Sequence, residues 1–231
     1  MVLIVDYGMG NLENVKRALE KIGVPAMIGA DAATVAEARG LVLPGVGAFG
    51  DAMANLRRAG WPQALEEAVT LGLPLLGICL GMQLLFEESD EMGHHPGLGL
   101  LRGRVRRLPG PFQVPHVGWN QIKFLRESPL LAGLPDGGHA YFVHSYYVEP
   151  ASPAIVLATT DYGRDFPSVV GQGQIFGVQF HPEKSQALGL GLLRNFADLV
   201  EGKAQRCPGV ALRSLKAALR DIAPRSRGES E

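Results

Sequence analysis

The sequence predicts an α/β fold with an open, mostly parallel (mixed) sheet flanked by helices, together with an additional antiparallel strand region. In residues 1–86, an apolar run leads three times into a turn that contains glycine and then into a segment with helical spacing. This order is typical of a parallel sheet. Residues 99–162 instead alternate strand-like pieces with turns rich in proline and glycine, which indicates antiparallel or mixed strands.

The elements follow in order along the chain. The three strand-helix units are predicted as strand 2–5 with helix 12–22, strand 41–43 with the helical segment 53–61, and strand 73–78 with the helical segment 82–86. The middle region is predicted to contain strands at 104–108, 141–148 and 155–160. A buried strand at 175–180 and a closing helix at 188–200 complete the predicted domain.

The composition favours a globular protein and excludes several other classes. The 231 residues are 46% hydrophobic, and their net charge of −1 provides no bulk basic surface for nucleic acid or membrane. Two cysteines are too few for a disulfide-dense secreted scaffold. The first residues, MVLIVD, lack the basic segment of a signal peptide, and the apolar stretch 71–86 is interrupted by Pro74 and is too short for a membrane helix. We therefore expect a cytoplasmic protein with no nucleic-acid or membrane partner.

The composition changes near residue 202, which predicts a domain at 1–202 and a basic extension at 203–231. The extension contains seven basic and three acidic residues. Apolar positions at helical spacing predict an amphipathic helix over 212–222, followed by a disordered end from Pro224. A docked helix, a frayed appendage and a basic patch for an anionic partner all remain open for this extension.

Cys79 is the first candidate catalytic residue, because its surroundings match a nucleophile elbow. The segment GICLG (77–81) places it between an apolar strand and a helical segment, with glycines two positions before and after it. Such a sharp turn holds the nucleophile above the sheet in strained backbone geometry, and the following helix N-terminus favours a thiolate. The next backbone N–H, that of Leu80, can then donate to an oxyanion. A structural buried cysteine would not explain the two glycines.

A nucleophilic cysteine needs a base, and His181 is the best candidate for it. His181 follows the strand 175–180 and so lies at the sheet edge where α/β proteins bind ligands. Glu183 comes two residues later, so its carboxylate can lie on the same side and orient the imidazole. These residues predict a Cys-His-Glu triad.

The other histidines are assigned supporting or surface positions. His116 and His144 lie at predicted strand edges and are candidates for shaping the site. His94, His95 and His139 lie in predicted turns, which is typical of solvated side chains. No further ligand stands near the His94–His95 pair at zinc-like spacing, so we expect no metal site and no cofactor.

Together these residues resemble the class I glutamine amidotransferases, whose triad is Cys-His-Glu. The resemblance covers residues 1–201 and rests on six segments that occur in the family's order. They are YGMGN (7–11), PGVGAF (44–49), GICLGMQ (77–83), HVGWN (116–120), YFVHSY (141–146) and GVQFHPE (177–183).

The resemblance implies a specific activity and a partner. It implies hydrolysis of L-glutamine to glutamate and ammonia through a thioester on Cys79, with His181 as acid and base and Glu183 as its support. The ammonia would pass to a (β/α)₈-barrel synthase subunit, bound as a heterodimer. That synthase would make imidazole glycerol phosphate and aminoimidazole carboxamide ribonucleotide in histidine biosynthesis.

The resemblance also implies roles for residues around the triad. By that resemblance the oxyanion hole would be formed by Gly45, Val46 and Leu80. Substrate would be bound by Gly47, Gln83, His144, Ser145 and Tyr146. The partner subunit would be contacted by Asn11, Trp119, Tyr141 and Lys184.

Two alternatives remain open. One is a related glutaminase that serves anthranilate, GMP or pyridoxal phosphate synthesis, which the segments at 7–11 and 44–47 disfavour. The other is a non-catalytic regulatory subunit, which the intact triad disfavours. The resemblance also implies that the loop 44–47 is regulated, which is physically reasonable because a peptide flanked by glycines can flip when a partner binds. We therefore expect the isolated subunit to be nearly idle.

Overall fold

The computed structural model describes residues 1–203, so the helix predicted over 212–222 and the end predicted beyond it lie outside the described residues. The helices of the described part are α1 (Leu12–Lys21), α2 (Phe49–Arg58), α3 (Trp61–Thr70), α4 (Leu80–Leu84) and α5 (Gln186–Glu201). Its strands are β1 (Val2–Val5), β2 (Ala26–Gly29), β3 (Gly40–Gly45), β4 (Leu75–Cys79), β5 (Phe86–Ser89), β6 (His95–Pro96), β7 (Leu101–Arg107), β8 (His116–Gln121), β9 (Lys123–Phe124), β10 (His139–His144), β11 (Tyr146–Pro150), β12 (Val156–Asp161), β13 (Asp165–Gln172) and β14 (Ile175–Val178).

An eight-stranded mixed sheet forms the centre of the fold, in the order β2-β1-β3-β4-β14-β13-β12-β9. Neighbours from β2 to β14 pair in parallel, and β14, β13, β12 and β9 continue the sheet with antiparallel pairing. Strands β1, β3 and β4 are buried along their whole length, as expected for parallel strands covered on both faces. The predicted α/β class with its additional antiparallel region is confirmed.

Two apolar cores lie on the two faces of this sheet. Because successive side chains of a strand point to opposite faces, Val2 and Ile4 of β1 pack in the core that contains α1 and α5. Leu3 and Val5 of the same strand pack in the core that contains α2 and α3. None of the helices within residues 1–203 has the length and apolar composition of a membrane span.

The antiparallel region corrects one predicted strand. The segment 141–148 forms two strands, β10 and β11, because the chain passes from one sheet to another at Ser145. Strand β10 pairs with β8 in a two-stranded sheet, whereas β11 pairs with β7 in the four-stranded sheet β11-β7-β5-β6. Two histidines expected in turns also belong to strands, since His95 begins β6 and His139 begins β10.

Two helical predictions need a similar correction. The segment 53–61 spans two helices, because Gly60 adopts a left-handed backbone (φ 73°) and α3 begins at Trp61. The segment 82–86 is not one helix, since α4 ends at Leu84 and Phe86 begins β5, which pairs with β7. The side chain of Phe86 is fully buried, so its apolar character fits a core strand as well as a core helix.

The order of the central strands sets the position of the functional residues. Strand β4 lies between β3 and β14, and Cys79 at its end pairs with Gly45 at the end of β3. The chain leaves β14 at Val178 and reaches His181 three residues later. The carboxyl ends of three adjacent parallel strands therefore bring the predicted oxyanion loop, the cysteine and the histidine together.

Candidate active site

Cys79 occupies the strained turn between β4 and α4. Its φ of 55° and ψ of −114° lie outside the regions that residues with a side chain ordinarily adopt. The glycines on either side are required sterically: a Cβ at Gly81 would lie 1.8 Å from the carbonyl oxygen of Leu43, and one at Gly77 would lie 2.7 Å from the oxygen of Gly81. The turn is therefore built around one residue with a strained backbone, and that residue is the predicted nucleophile.

His181 and Glu183 form a buried hydrogen-bonded pair. The Nδ1 atom of His181 donates to Oε1 of Glu183 at 2.8 Å, and the two side chains are 2% and 0% exposed. Glu183 lies in the 3₁₀ turn Pro182–Lys184, which directly follows the histidine. The backbone of His181 is fixed as well, because its N–H donates to the oxygen of Tyr141 and its oxygen accepts from the hydroxyl of Ser185.

The pKa of His181 is set by burial and by its two neighbours. With Nδ1 committed to Glu183, the buried Nε2 atom has no hydrogen-bond partner within residues 1–203. Burial lowers the pKa of His181, but the interactions of its ring with Cys79 and Glu183 outweigh burial and raise the pKa to about 9.

Cys79 and His181 open into the same cavity of about 330 Å³, a volume within the range of small-molecule sites. Seven other residues predicted for the site also line it, and these are Val46, Gly47, Leu80, Gln83, His144, Ser145 and Tyr146. Two predicted residues do not line it. Gly45 lies beside Cys79 in the neighbouring strand, and Glu183 lies behind the imidazole.

The loop after β3 has one anchored end and one open end. The buried hydroxyl of Tyr7 donates to the oxygen of Pro44 at 2.9 Å, and a Cβ at Gly45 would lie 2.8 Å from that hydroxyl. Val46 is 41% exposed, and Gly47 has a φ of 92°. A loop held at its start and followed by a glycine with a left-handed backbone can change the direction of its peptide groups with little strain.

His144 belongs to a chain of buried hydrogen bonds that is separate from the His181–Glu183 pair. Its Nδ1 atom donates to the oxygen of Tyr146 at 2.8 Å, and its Nε2 atom accepts from Nδ1 of His116 at 3.0 Å. Burial lowers the pKa of His144 to about 3, so its ring is neutral under ordinary conditions. Nε2 of His116 in turn accepts from the amide of Asn120 at 3.3 Å.

The residues predicted to contact a partner lie outside the cavity. Lys184 places its Nζ atom 5.6 Å from the ring centre of Tyr141, and the ring of Trp119 meets the same tyrosine edge-on at 6.0 Å. Asn11 immediately precedes α1 and accepts from the amide of Asn14 at 3.1 Å.

Sequence reasoning missed Glu91, which also lines the cavity. Its Oε2 atom accepts from the backbone N–H of Phe49 at the start of α2, at 2.7 Å. Nothing in the local sequence distinguishes this carboxylate from the acidic residues around it, because its position depends on a contact between residues 42 positions apart. Within residues 1–203, no group of three or more His, Cys, Asp or Glu side chains is placed to hold a metal ion.

Comparison with known proteins agrees with this geometry. The family model described as "Glutamine amidotransferase class-I" matches residues 3–199. The chain is 54% identical over 209 residues to the imidazole glycerol phosphate synthase subunit HisH of Geobacillus kaustophilus, covering 88% of this chain and 99% of that protein. It is 56% identical over 199 residues to the subunit of the same name from Symbiobacterium thermophilum, covering 86% and 94%.

Solved structures show the same fold at lower sequence identity. A crystal structure of a glutamine amidotransferase superposes with a TM-score of 0.70 at 25% identity, covering 87% of this chain and 100% of that one. The structure of PurLQS from Thermotoga maritima also gives a TM-score of 0.70, at 18% identity, over 86% of this chain and 98% of the other.

Proposed function

The chain belongs to the class I glutamine amidotransferase family, and on that premise we propose that it is the glutaminase subunit of an imidazole glycerol phosphate synthase. The observation that carries the proposal is the cavity in which a strained Cys79 meets an imidazole supported by Glu183. More than half of the aligned residues are identical in two relatives named as HisH subunits. Among the synthases that class I glutaminases serve, this identity favours imidazole glycerol phosphate synthase.

The triad can carry out hydrolysis in two stages. In the first, the thiolate of Cys79 attacks the side-chain carboxamide of glutamine and forms a tetrahedral oxyanion. The imidazolium of His181 gives its proton to the leaving nitrogen, so ammonia departs and a thioester remains. In the second stage, neutral His181 takes a proton from water, which attacks the thioester carbon. The thiolate leaves, glutamate is released, and the imidazolium is restored.

Backbone donors are proposed to stabilise both oxyanions. The N–H of Leu80, next to the nucleophile, supplies one donor, and the peptide between Gly45 and Val46 supplies the other once the loop has turned. Losing one such donor commonly lowers kcat by about 10²–10³-fold. A loop that presents its second donor only in the complex would therefore make the isolated subunit nearly idle.

Polar groups of the cavity suit the α-amino group of free glutamine. The carboxylate of Glu91 and the carbonyl of Gln83 are acceptors for the α-ammonium group. Ser145 and Tyr146, where the chain passes between sheets, line the same cavity and are proposed to contact the substrate through their polar groups. His144, held neutral, contributes shape and a fixed backbone rather than charge.

An exposed apolar surface beside the cavity supports a protein partner. On the β8–β10 sheet, Val117, Trp119 and Val143 are between 37% and 57% exposed, and Val143 also lines the cavity. We propose that a (β/α)₈-barrel synthase subunit covers this surface in a heterodimer and receives the ammonia. Tyr141 and Lys184 lie at the same edge and would join the contact.

Because the mechanism needs a free thiol, we also propose a cytoplasmic location.

The proposal is tested with the full chain combined with the synthase subunit of the same organism. We expect the complex to release glutamate from glutamine and to form imidazole glycerol phosphate. Cys79→Ala should abolish the glutamine-dependent reaction but leave the ammonia-dependent reaction of the synthase intact. A wild-type complex that cyclises its nucleotide substrate with ammonia but never with glutamine would refute the proposal.

A further inference from the structure

Gln179 connects the nucleophile to a residue of the substrate cavity. It follows β14, its side chain is fully buried, and its backbone N–H donates to the oxygen of Ser168 at 3.0 Å. Its Nε2 atom donates to the sulfur of Cys79 at 3.9 Å, and its Oε1 atom accepts from Nε2 of Gln83 at 3.0 Å. Both ends of the amide therefore contact residues of the site, although Gln179 itself does not line the cavity.

The side-chain amide of Gln83 is held in one orientation by two acceptors. Its Nε2 atom donates to Oε1 of Gln179 and to the backbone oxygen of Tyr146, at 3.0 and 2.9 Å. A primary amide has two N–H donors, so both are used by these contacts. The reversed orientation would place the carbonyl oxygen of Gln83 against two other oxygens. The carbonyl is thus the group of Gln83 left for a bound molecule.

The second of these acceptors is also rigid. The oxygen of Tyr146 accepts from Nδ1 of His144 as well as from Gln83, so both of its lone pairs are engaged. His144 is fixed in turn by His116. Because it is fixed in this buried chain, the oxygen of Tyr146 cannot shift to accommodate a rotation of the Gln83 amide. Gln179 provides the other contact that disfavours the reversed amide, and it is the one of the two that a side-chain substitution can remove.

We propose that Gln179 is a positioning residue that keeps the carbonyl oxygen of Gln83 toward the cavity and thereby selects substrates that carry an α-ammonium group. The inference rests on the proposed glutaminase function and adds a source of specificity to it. An ammonium group donates strongly to a fixed carbonyl oxygen, whereas an amide turned by 180° would meet it with N–H groups. The site would then lose its preference for glutamine over an amide that differs only in lacking the α-amino group.

Glutaramate, the five-carbon analogue that has the carboxamide and the carboxylate but no α-amino group, is the probe for this specificity. The measurement is the ratio of kcat/KM for L-glutamine to kcat/KM for glutaramate, taken with the complex of the full chain and the synthase subunit. We expect Gln179→Met, which retains volume but removes the acceptor, to lower this ratio by about tenfold or more. The ratio cancels any effect on Cys79 that is common to both substrates.

Gln179→Glu is the matched control. A carboxylate keeps an oxygen acceptor for Nε2 of Gln83, so the ratio should stay within about twofold of wild type. Its negative charge next to the sulfur opposes a thiolate, so kcat should fall for both substrates. If Gln179 had a purely structural role, the ratio of kcat/KM values would not differ between Gln179→Met and Gln179→Glu.

A second variant tests the same step without altering Gln179. Gln83→Met should lower the ratio at least as much as Gln179→Met, and the double variant should lower it no further. Thermal unfolding of each variant shows whether it is folded. If Gln179→Met does not fold, the ratio measured for Gln83→Met decides whether the inference stands.

The inference is overturned where Gln179→Met or Gln83→Met retains the wild-type ratio, or where the Met and Glu variants at position 179 lower it equally. If the wild-type complex releases no glutamate at all, the proposed function fails and the inference falls with it. An active wild-type complex with an unchanged ratio in the variants overturns the inference alone.

Discussion

The hydroxyl of Tyr7 donates to the backbone oxygen of Pro44 at 2.9 Å, and both groups are buried. This bond ties Tyr7, which follows β1, to Pro44 of β3, immediately before the loop proposed to supply the second oxyanion donor. Burial is the main cause of the raised pKa of Tyr7, so its hydroxyl remains a donor at every ordinary pH. The position of the loop therefore depends on a phenol that does not line the cavity.

Tyr7→Phe should destabilise the fold and reduce catalysis together. Removing the hydroxyl leaves the oxygen of Pro44 without this donor, which should lower the free energy of unfolding by about 1–3 kcal/mol. A less constrained loop should reduce kcat by roughly tenfold, with little change in KM. Denaturant unfolding and steady-state glutaminase assays of the complex check both effects, and a variant with lowered stability but wild-type kcat would contradict the link to the loop.

Glu183→Gln should lower kcat sharply while leaving the fold intact. The amide retains the size of the carboxylate but no longer stabilises the imidazolium or fixes its proton on Nδ1. We expect a fall in kcat of at least about 10²-fold. The assay is glutamate release by the complex, and the ammonia-dependent reaction of the synthase is its internal control. A variant with near-normal kcat would remove Glu183 from the triad.

The raised pKa of His181 predicts a stability that decreases with rising pH. Its folded-state pKa of about 9 lies above the unfolded value near 6.5, so the native protein binds the proton more tightly. The stabilisation is therefore complete below about pH 6.5 and is lost as the pH rises through about 9, with a total of up to about 3 kcal/mol.

Urea unfolding of wild type and of His181→Gln between pH 6 and 10 checks this dependence. The difference in unfolding free energy between the two proteins should shrink as the pH rises. A difference that stays constant across that range would contradict a raised pKa at His181.

Glu91→Gln should weaken substrate binding more than it slows the chemistry. The amide oxygen can still accept from the N–H of Phe49, so α2 should keep its start, but the negative charge facing the cavity is lost. We expect KM for glutamine to rise by about tenfold or more and kcat to change by less than about threefold. Initial rates over a range of glutamine concentrations separate the two parameters. A fall in kcat at constant KM would instead place Glu91 in the chemical step.

Gly81→Ala should be far more damaging than the same change at Gly23. A Cβ at Gly81 would lie 1.8 Å from the oxygen of Leu43, so β3 and α4 would have to separate. Nothing lies within 4 Å of a Cβ at Gly23, where the left-handed backbone alone adds about 1 kcal/mol of strain. We expect a loss of more than about 3 kcal/mol at Gly81, measured by denaturant unfolding. Equal losses at the two positions would show that the elbow can relax.

The sequence predicts the elbow at Cys79 and the strand-end position of His181, because both follow from local patterns. Glycines around a cysteine and a histidine after an apolar strand are visible without knowledge of distant contacts. The roles of Glu91 and Gln179 are not visible in this way. Glu91 gains its position from the start of a helix 42 residues earlier, and Gln179 resembles an isolated polar residue in an apolar strand.

The passage of the chain between sheets at Ser145 could not be predicted for a related reason. Residues 141–148 have continuous strand character, and only their pairing partners divide them. Strand β10 pairs with β8 and β11 pairs with β7, so the division is decided by two other segments of the chain. Local propensity contains no information about which segments those are.

The placement of β4 between β3 and β14 has a consequence for how the enzyme matures. The proposed nucleophile ends β4, its proposed base follows β14 about a hundred residues later in the chain, and β14 follows the whole antiparallel region. During synthesis, the thiol at the elbow therefore emerges from the ribosome long before the imidazole proposed to act with it. A nascent chain lacking β14 would be catalytically silent, so recovery of glutaminase activity after refolding, measured with the synthase subunit added, would report completion of the central sheet.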